Sequence, residues 1–189
     1  MTTWWFPDNT VLCNFAAVDR LLLLEKVLDG RGRWTQAVAW EAARSARFLP
    51  RLDGLAEAGW LGEPVEITDT AELREVDRLR RAVFGGPSHA PTRHLGEAET
   101  CVLITRRREF RGSVWITDDR SARDFARRRG ITTKETFDLM RDACAEGLVP
   151  AAEGHLLLHA MVASGRFLHR VSQGPEDLRP SGPRGPSGP

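Results

Sequence analysis

Along this chain the apolar positions switch repeatedly between an alternating spacing and a spacing of three to four, which predicts strands interleaved with helices. Trp4–Val11 reads as a short strand ending near Asp8-Asn9. From Val11 to Leu28 the residues Leu12, Phe15, Ala16, Leu22, Leu23 and Val27 recur at helical spacing, and Gly30 and Gly32 close that helix. Trp34–Val38 reads as a second short strand. Ala39–Phe48 is alanine-rich and helical, stopped by Pro50, and Leu52–Ala58 reads as a further helix ending at Gly59. Pro64–Ile67 is a strand candidate. Asp69 or Thr70 caps a helix over Ala71–Val83 that carries Leu73, Val76, Leu79 and Val83 on one face.

The second half repeats the alternation. Gly85–His94 is a loop by its Gly, Pro, Ser and His content, and Gly96–Arg107 follows as a helix. Ser113–Thr117 (SVWIT) is the clearest buried strand and runs straight into Asp118-Asp119. Ser121–Arg129 is a helix ended by Gly130, Ile131–Thr133 a short strand, Lys134–Glu146 a helix ended by Gly147, and His155–Ser164 another helix. Such alternation predicts an α/β fold around a largely parallel sheet, in which function gathers at the carboxyl ends of the strands. The folded domain is expected over residues 1–172. Residues 173–189 are rich in Gly, Pro and Ser with little to bury, which predicts a disordered tail.

Composition narrows the picture only a little. The 189 residues carry 27 Lys+Arg against 26 Asp+Glu, so any surface for a polyanion must be local rather than global. Cys13, Cys101 and Cys144 are far apart, form no CxxC pair and sit among apolar neighbours, as buried reduced thiols of a cytosolic protein do. The start MTTWWFPDNT lacks the basic residues and long apolar core of a signal peptide, and every long apolar run is interrupted by charge. A cytoplasmic protein with no membrane partner is expected.

The candidate chemistry lies in carboxylates. Asp8 and Asp118-Asp119 stand where strands end, Glu97 opens the helix after the long loop, and Glu41 lies early in the alanine-rich helix. One such aspartate is ordinarily a cap, and either Asp118 or Asp119 can cap Ser121–Arg129. Several together are different, because a parallel sheet brings strand ends and helix starts to one edge. Carboxylates gathered there repel one another, and a hard cation such as Mg²⁺ or Mn²⁺ relieves that repulsion while activating water and offsetting charge on a phosphate.

The segments FPDNTVLCNFAAVDRLLLLEKVL (6–28), HLGEAETCVLITRRR (94–108) and WITDDRSARDFARRRGI (115–131), with the helix of Glu41 between, resemble the PIN-domain nucleases, the fold of VapC-type toxins. The likeness covers roughly residues 5–150 in the family's order. It implies a three-layer α/β/α fold and a metal-dependent endoribonuclease using Mg²⁺ or Mn²⁺. It also implies RNA as substrate, an antitoxin protein as partner and a homodimer as the assembly. Carried over by position, the catalytic set is Asp8, Glu41, Glu97, Asp118 and Asp119, with Asp8, Glu97 and one or both of Asp118 and Asp119 on the metal. Glu99, two residues beyond Glu97 on a helix, is expected to point away from it. Asn9-Thr10 departs from the order usual in the family, which leaves no role assigned to either.

Other signals are weaker. His155 and His159 are four apart in HLLLH, with no acidic or cysteine ligand near, and read as helix-surface histidines. His89 and His94 flank the loop before Glu97. The arginines at 106–108, 111 and 127–129 are either a solvated face or a phosphate-tracking patch beside the acidic site. Trp4 and Trp5 read as core anchors before base-stacking groups. Two further classes are weighed against a nuclease. A receiver-like signalling domain with Lys134 as its lysine would need the Asp-Asp pair after the first strand, not late in the chain. A PIN-like module without catalysis, acting through protein or RNA partners, is the alternative function.

Overall fold

The computed structural model describes residues 3–179. Its sheet has three parallel strands, β1 (Trp5–Pro7), β2 (Val114–Ile116) and β3 (Thr132–Lys134), in the order β1-β2-β3. Pro7 lies opposite Ile116, and Ile116 opposite Lys134. Eight α-helices surround the strands among the described residues: α1 (Asn9–Ala17), α2 (Leu21–Leu28), α3 (Gln36–Ser45), α4 (Thr70–Ala82), α5 (Leu95–Arg106), α6 (Arg120–Arg128), α7 (Thr136–Ala145) and α8 (Ala151–Ala163).

Strand alternation sorts the helices into layers. Trp5, Val114 and Ile116 face a core built with Leu12 and Phe15 of α1, Leu24 and Leu28 of α2, Leu139 and Met140 of α7, and Leu158 of α8. Phe6 and Trp115 face the other way, into a core of Val76 and Leu79 from α4, Val102 and Leu103 from α5, and Phe125 from α6. The chain is therefore an α/β protein with helices on both faces of a parallel sheet, as its sequence pattern predicted. No helix among the described residues is long and apolar enough to cross a membrane. Cys13, Cys101 and Cys144 are free thiols.

Several expected elements differ. The single helix expected over Val11–Leu28 is broken into α1 and α2 at Asp19, which takes a left-handed φ of 56°. Aspartate tolerates that conformation, and the bend lets the apolar faces of both helices reach one core. Trp34–Val38 is no strand, because the Thr35 side chain accepts from Val38 N–H and starts α3 at Gln36. What survives of it is an isolated parallel bridge from Thr35 to Val65, and Pro64–Ile67 adds nothing more to the sheet. Leu52–Ala58 is a short 3-10 turn over Pro50–Leu52 followed by further turns. Lys134 belongs to β3, so the next helix begins at Thr136 behind a Glu135–Asp138 capping box. The last long helix starts at Ala151, four residues earlier than His155.

The C-terminal boundary also moves. Residues 175–178 form a 3-10 turn, and Leu178 is fully buried against α7 and α8. The contact needs Gly154, since a Cβ there would meet Cys144 Sγ at 2.9 Å and Leu178 Cδ1 at 3.1 Å. His155 and His159 hold the preceding segment, His155 Nδ1 lying 2.8 Å from Ser172 Oγ and His159 Nε2 3.0 Å from its carbonyl oxygen. The expected tail thus gives up its first seven residues, 173–179, to the fold. Its remainder, 180–189, lies outside the described residues.

Candidate functional site

The carboxyl ends of β1 and β2 place Asp8 and Thr117 side by side. Asp8 N–H continues the ladder to Ile116 O at 2.9 Å, and Thr117 Oγ1 donates to Asp8 Oδ2 at 3.2 Å. The same hydroxyl accepts from Asp119 N–H, so Thr117 ties both strand ends together. Asp8 stands at the N-cap position of α1, yet its side chain makes no cap hydrogen bond there. It is 6% exposed. Burial, then the charges of Glu97 and Glu41, push its carboxyl well above the usual range, against weaker help from Asn9 N–H and Thr117.

Glu41 and Glu97 reach the same place from α3 and α5, and those two helices cap each other. The N–H of Gly96, in the unsatisfied first turn of α5, faces Glu41 in α3 and favours its charged form. Glu99 in α5 takes Ala37 N–H at 3.0 Å, in the first turn of α3. This reciprocal arrangement demands a close approach. A Cβ on Gly96 would meet Val38 Cγ2 at 2.9 Å, with both Glu41 oxygens within 3.5 Å. Burial, then repulsion from Glu97, raises the Glu41 carboxyl from 4.5 to about 7. Glu99, also raised by burial, is a structural acceptor for α3. His94, in a left-handed conformation at the start of α5, sets its Nδ1 3.0 Å from Glu97 Oε1.

The acidic pair after β2 goes elsewhere. Asp118 is fully buried and accepts from Asn14 Nδ2 at 3.0 Å, from Thr136 N–H at 3.2 Å and from the Thr136 hydroxyl. Burial outweighs those hydrogen bonds and raises its carboxyl. Asp119 is exposed and caps α6, accepting from Ala122 N–H at 2.7 Å. The fold therefore gathers Asp8, Glu41 and Glu97 into one electrostatic group. It sets Asp118 one strand across in a hydrogen-bonded socket and leaves Asp119 at a helix start.

A family model described as a PIN domain matches residues 5–172. The chain belongs to the PIN-domain family. Its nuclease fold follows from that membership and from the parallel sheet between two helical layers. No match to this PIN domain was found among the curated proteins or among the solved structures.

The donors of this PIN domain suit a hard dication, on which such domains generally depend. They are carboxylate oxygens, and among the described residues no arginine or lysine forms an ion pair with Asp8, Glu41, Glu97 or Asp118, although such pairs are common elsewhere on the molecule. As the side chains stand, no three His, Cys, Asp or Glu groups among the described residues lie within reach of one ion. Binding would require the carboxylates to turn toward each other.

Arg106, Arg107, Arg111 and Arg129 do not flank the site, while Arg127 lines a cavity beside α6 with Arg120, Arg123, Asp124 and His169. From Glu97 to Arg106 α5 runs about 13 Å toward the opposite edge of the sheet. There Arg111 and Arg129 line a cavity with Ser113 and Thr132, where β2 and β3 begin. Arg106 and Arg107 pair with Glu75 and Glu72 of α4. The arginines beside the carboxylates are instead Arg44 and Arg47, which share a cavity with Glu41, Asn9, Ser45 and Phe48. Neither Gly96, Thr117 nor these arginines carried a signal in the sequence, apart from Gly96 falling inside GEAE.

Proposed function

We propose that this protein is a metal-dependent endoribonuclease whose centre is Asp8, Glu41 and Glu97. The observation that carries the reading is the shared charge: Glu97 on α5 acts on both Asp8 after β1 and Glu41 on α3, and among the described residues no arginine or lysine forms an ion pair with any of the three. Family membership supports the same reading. Asp8 and Glu97 would hold Mg²⁺ or Mn²⁺, with Glu41 beside them. A cation there would lower the pKa of attacking water and offset charge on the scissile phosphate.

The chain's own residues supply positioning. Thr117 orients Asp8, Gly96 N–H orients Glu41, and His94 orients Glu97. With its raised carboxyl, Glu41 can take up a proton near neutral pH. Asp118 anchors the edge through Asn14 and Thr136, and Asp119 starts α6. Backbone phosphates would lie on Arg44 and Arg47, and on the cavity of Arg120, Arg123, Arg127 and His169 beside α6. By the same family logic the protein serves as the toxin of a toxin–antitoxin pair, blocked by a protein antitoxin and assembled as a homodimer.

The test is cleavage of a labelled single-stranded RNA with and without Mg²⁺ or Mn²⁺, alongside calorimetric titration of Mn²⁺. Asp8→Asn and Glu97→Gln should remove cleavage and weaken Mn²⁺ binding together. Undiminished cleavage by either variant would refute the assignment. Absence of both Mn²⁺ binding and cleavage in the parent protein would favour a binding module without catalysis.

A further inference from the structure

We propose that the cavity at the end of α3 is a subsite for one unstacked nucleotide of a single strand, holding its base on Phe48 and its phosphate on Arg44 and Arg47. The proposal rests on the ribonuclease reading above for the identity of the strand. The cavity, about 240 Å³, has Glu41 in its wall, so whatever occupies it lies next to the carboxylates.

Three features give it the chemistry of a nucleotide site. Phe48 is 82% exposed at its rim, whereas Phe6, Phe15, Phe110, Phe125 and Phe137 are all buried. A bare aromatic face beside a site suits a flat base, and only a base freed from its neighbours can lie on it. Arg44 and Arg47 have no carboxylate partner among the described residues, and each guanidinium is steadied by an aromatic ring. Arg44 lies 4.6 Å from the Trp40 ring and Arg47 5.7 Å from Phe48. They stand one turn apart as cations ready for a phosphate. On the cavity wall Asn9 donates to Ser45 Oγ at 3.3 Å, which leaves its second amide N–H for a base edge. The volume suits a single ring system, being smaller than the roughly 300–1,000 Å³ of pockets for larger ligands.

The experiment is fluorescence anisotropy with a labelled ten-nucleotide single-stranded RNA and the full chain in EDTA, where binding is read without cleavage. Phe48→Ala should weaken binding about 10-fold. Arg44→Gln with Arg47→Gln should weaken it similarly and lower the slope of log K against log salt by about 1.4. A duplex of the same sequence should bind more weakly and ignore Phe48→Ala. Equal affinity of parent and Phe48→Ala for the single strand overturns the subsite. So does a loss of self-association on sedimentation with RNA affinity unchanged, which would assign Phe48 to a contact between copies. The two readings separate cleanly. Asp8-dependent cleavage with a KM indifferent to Phe48 and the arginines defeats the subsite alone, and Phe48-dependent binding without cleavage in Mg²⁺ defeats the nuclease alone.

Discussion

Replacing Glu41 by glutamine should stabilise the metal-free protein at pH 8 and do nothing at pH 4. Burial, then repulsion from Glu97, raises the Glu41 carboxyl from 4.5 to about 7. Between those values the folded chain keeps a proton that the unfolded chain releases. Ionisation thus opposes folding, and stability falls as pH climbs through this window and stays lower above it. The gap of about 2.5 pH units corresponds to a ceiling of about 3 kcal/mol. Water at the mouth of the neighbouring cavity screens part of it, so about 1–3 kcal/mol is expected. Glutamine removes the charge and keeps an acceptor for Gly96 N–H. Urea unfolding of both proteins in EDTA at pH 4 and pH 8 measures the difference directly. A stability difference that is the same at both pH values, or a variant less stable at pH 8, would refute the claim that Glu41 is held against its neighbours' charge. If the carboxylates bind Mg²⁺, adding it at pH 8 should raise the unfolding midpoint of the parent more than that of the variant.

Gly96→Ala should cost about 1–3 kcal/mol, because the new methyl meets Val38 at 2.9 Å; combining it with Val38→Ala should cost less than the two changes summed, and strict additivity would show that the contact is relieved elsewhere. Asp119→Ala should lose about 1 kcal/mol through its cap to Ala122 N–H while Asp119→Asn loses little. A stable Asp119→Asn protein without cleavage would instead place Asp119 in the chemistry. Leu178→Ala should cost about 2–4 kcal/mol, since this side chain is fully buried between α7 and α8; an unchanged urea midpoint would return residues 173–179 to the tail.

How much of this was legible in advance follows from the range of each interaction. Period-two and period-3.6 patterns are local, and they located β1, β2, β3 and most helices. They also located the switch from apolar to acidic at Asp8 and Asp118, where a strand leaves the core. Local pattern alone failed at Val11–Leu28, where apolar periodicity continues through a bend at Asp19, and at Trp34–Val38, where one threonine cap outweighs a strand-like run. Position along the chain identified Asp8, Glu41 and Glu97 as candidates, but side-chain direction decided what each does. Asp118 and Asp119 are adjacent in sequence, yet one turns inward to Asn14 and Thr136, 104 residues away in the first case, and the other turns back on its own helix. Glu99 caps a helix 62 residues earlier, and Gly96 is glycine because Val38 presses on it. Such contacts join segments distant in sequence, so no window of neighbouring residues contains them. The arginines make the same point. A run of positive charge is visible in one dimension, but which edge of the sheet it occupies depends on the direction in which a helix returns.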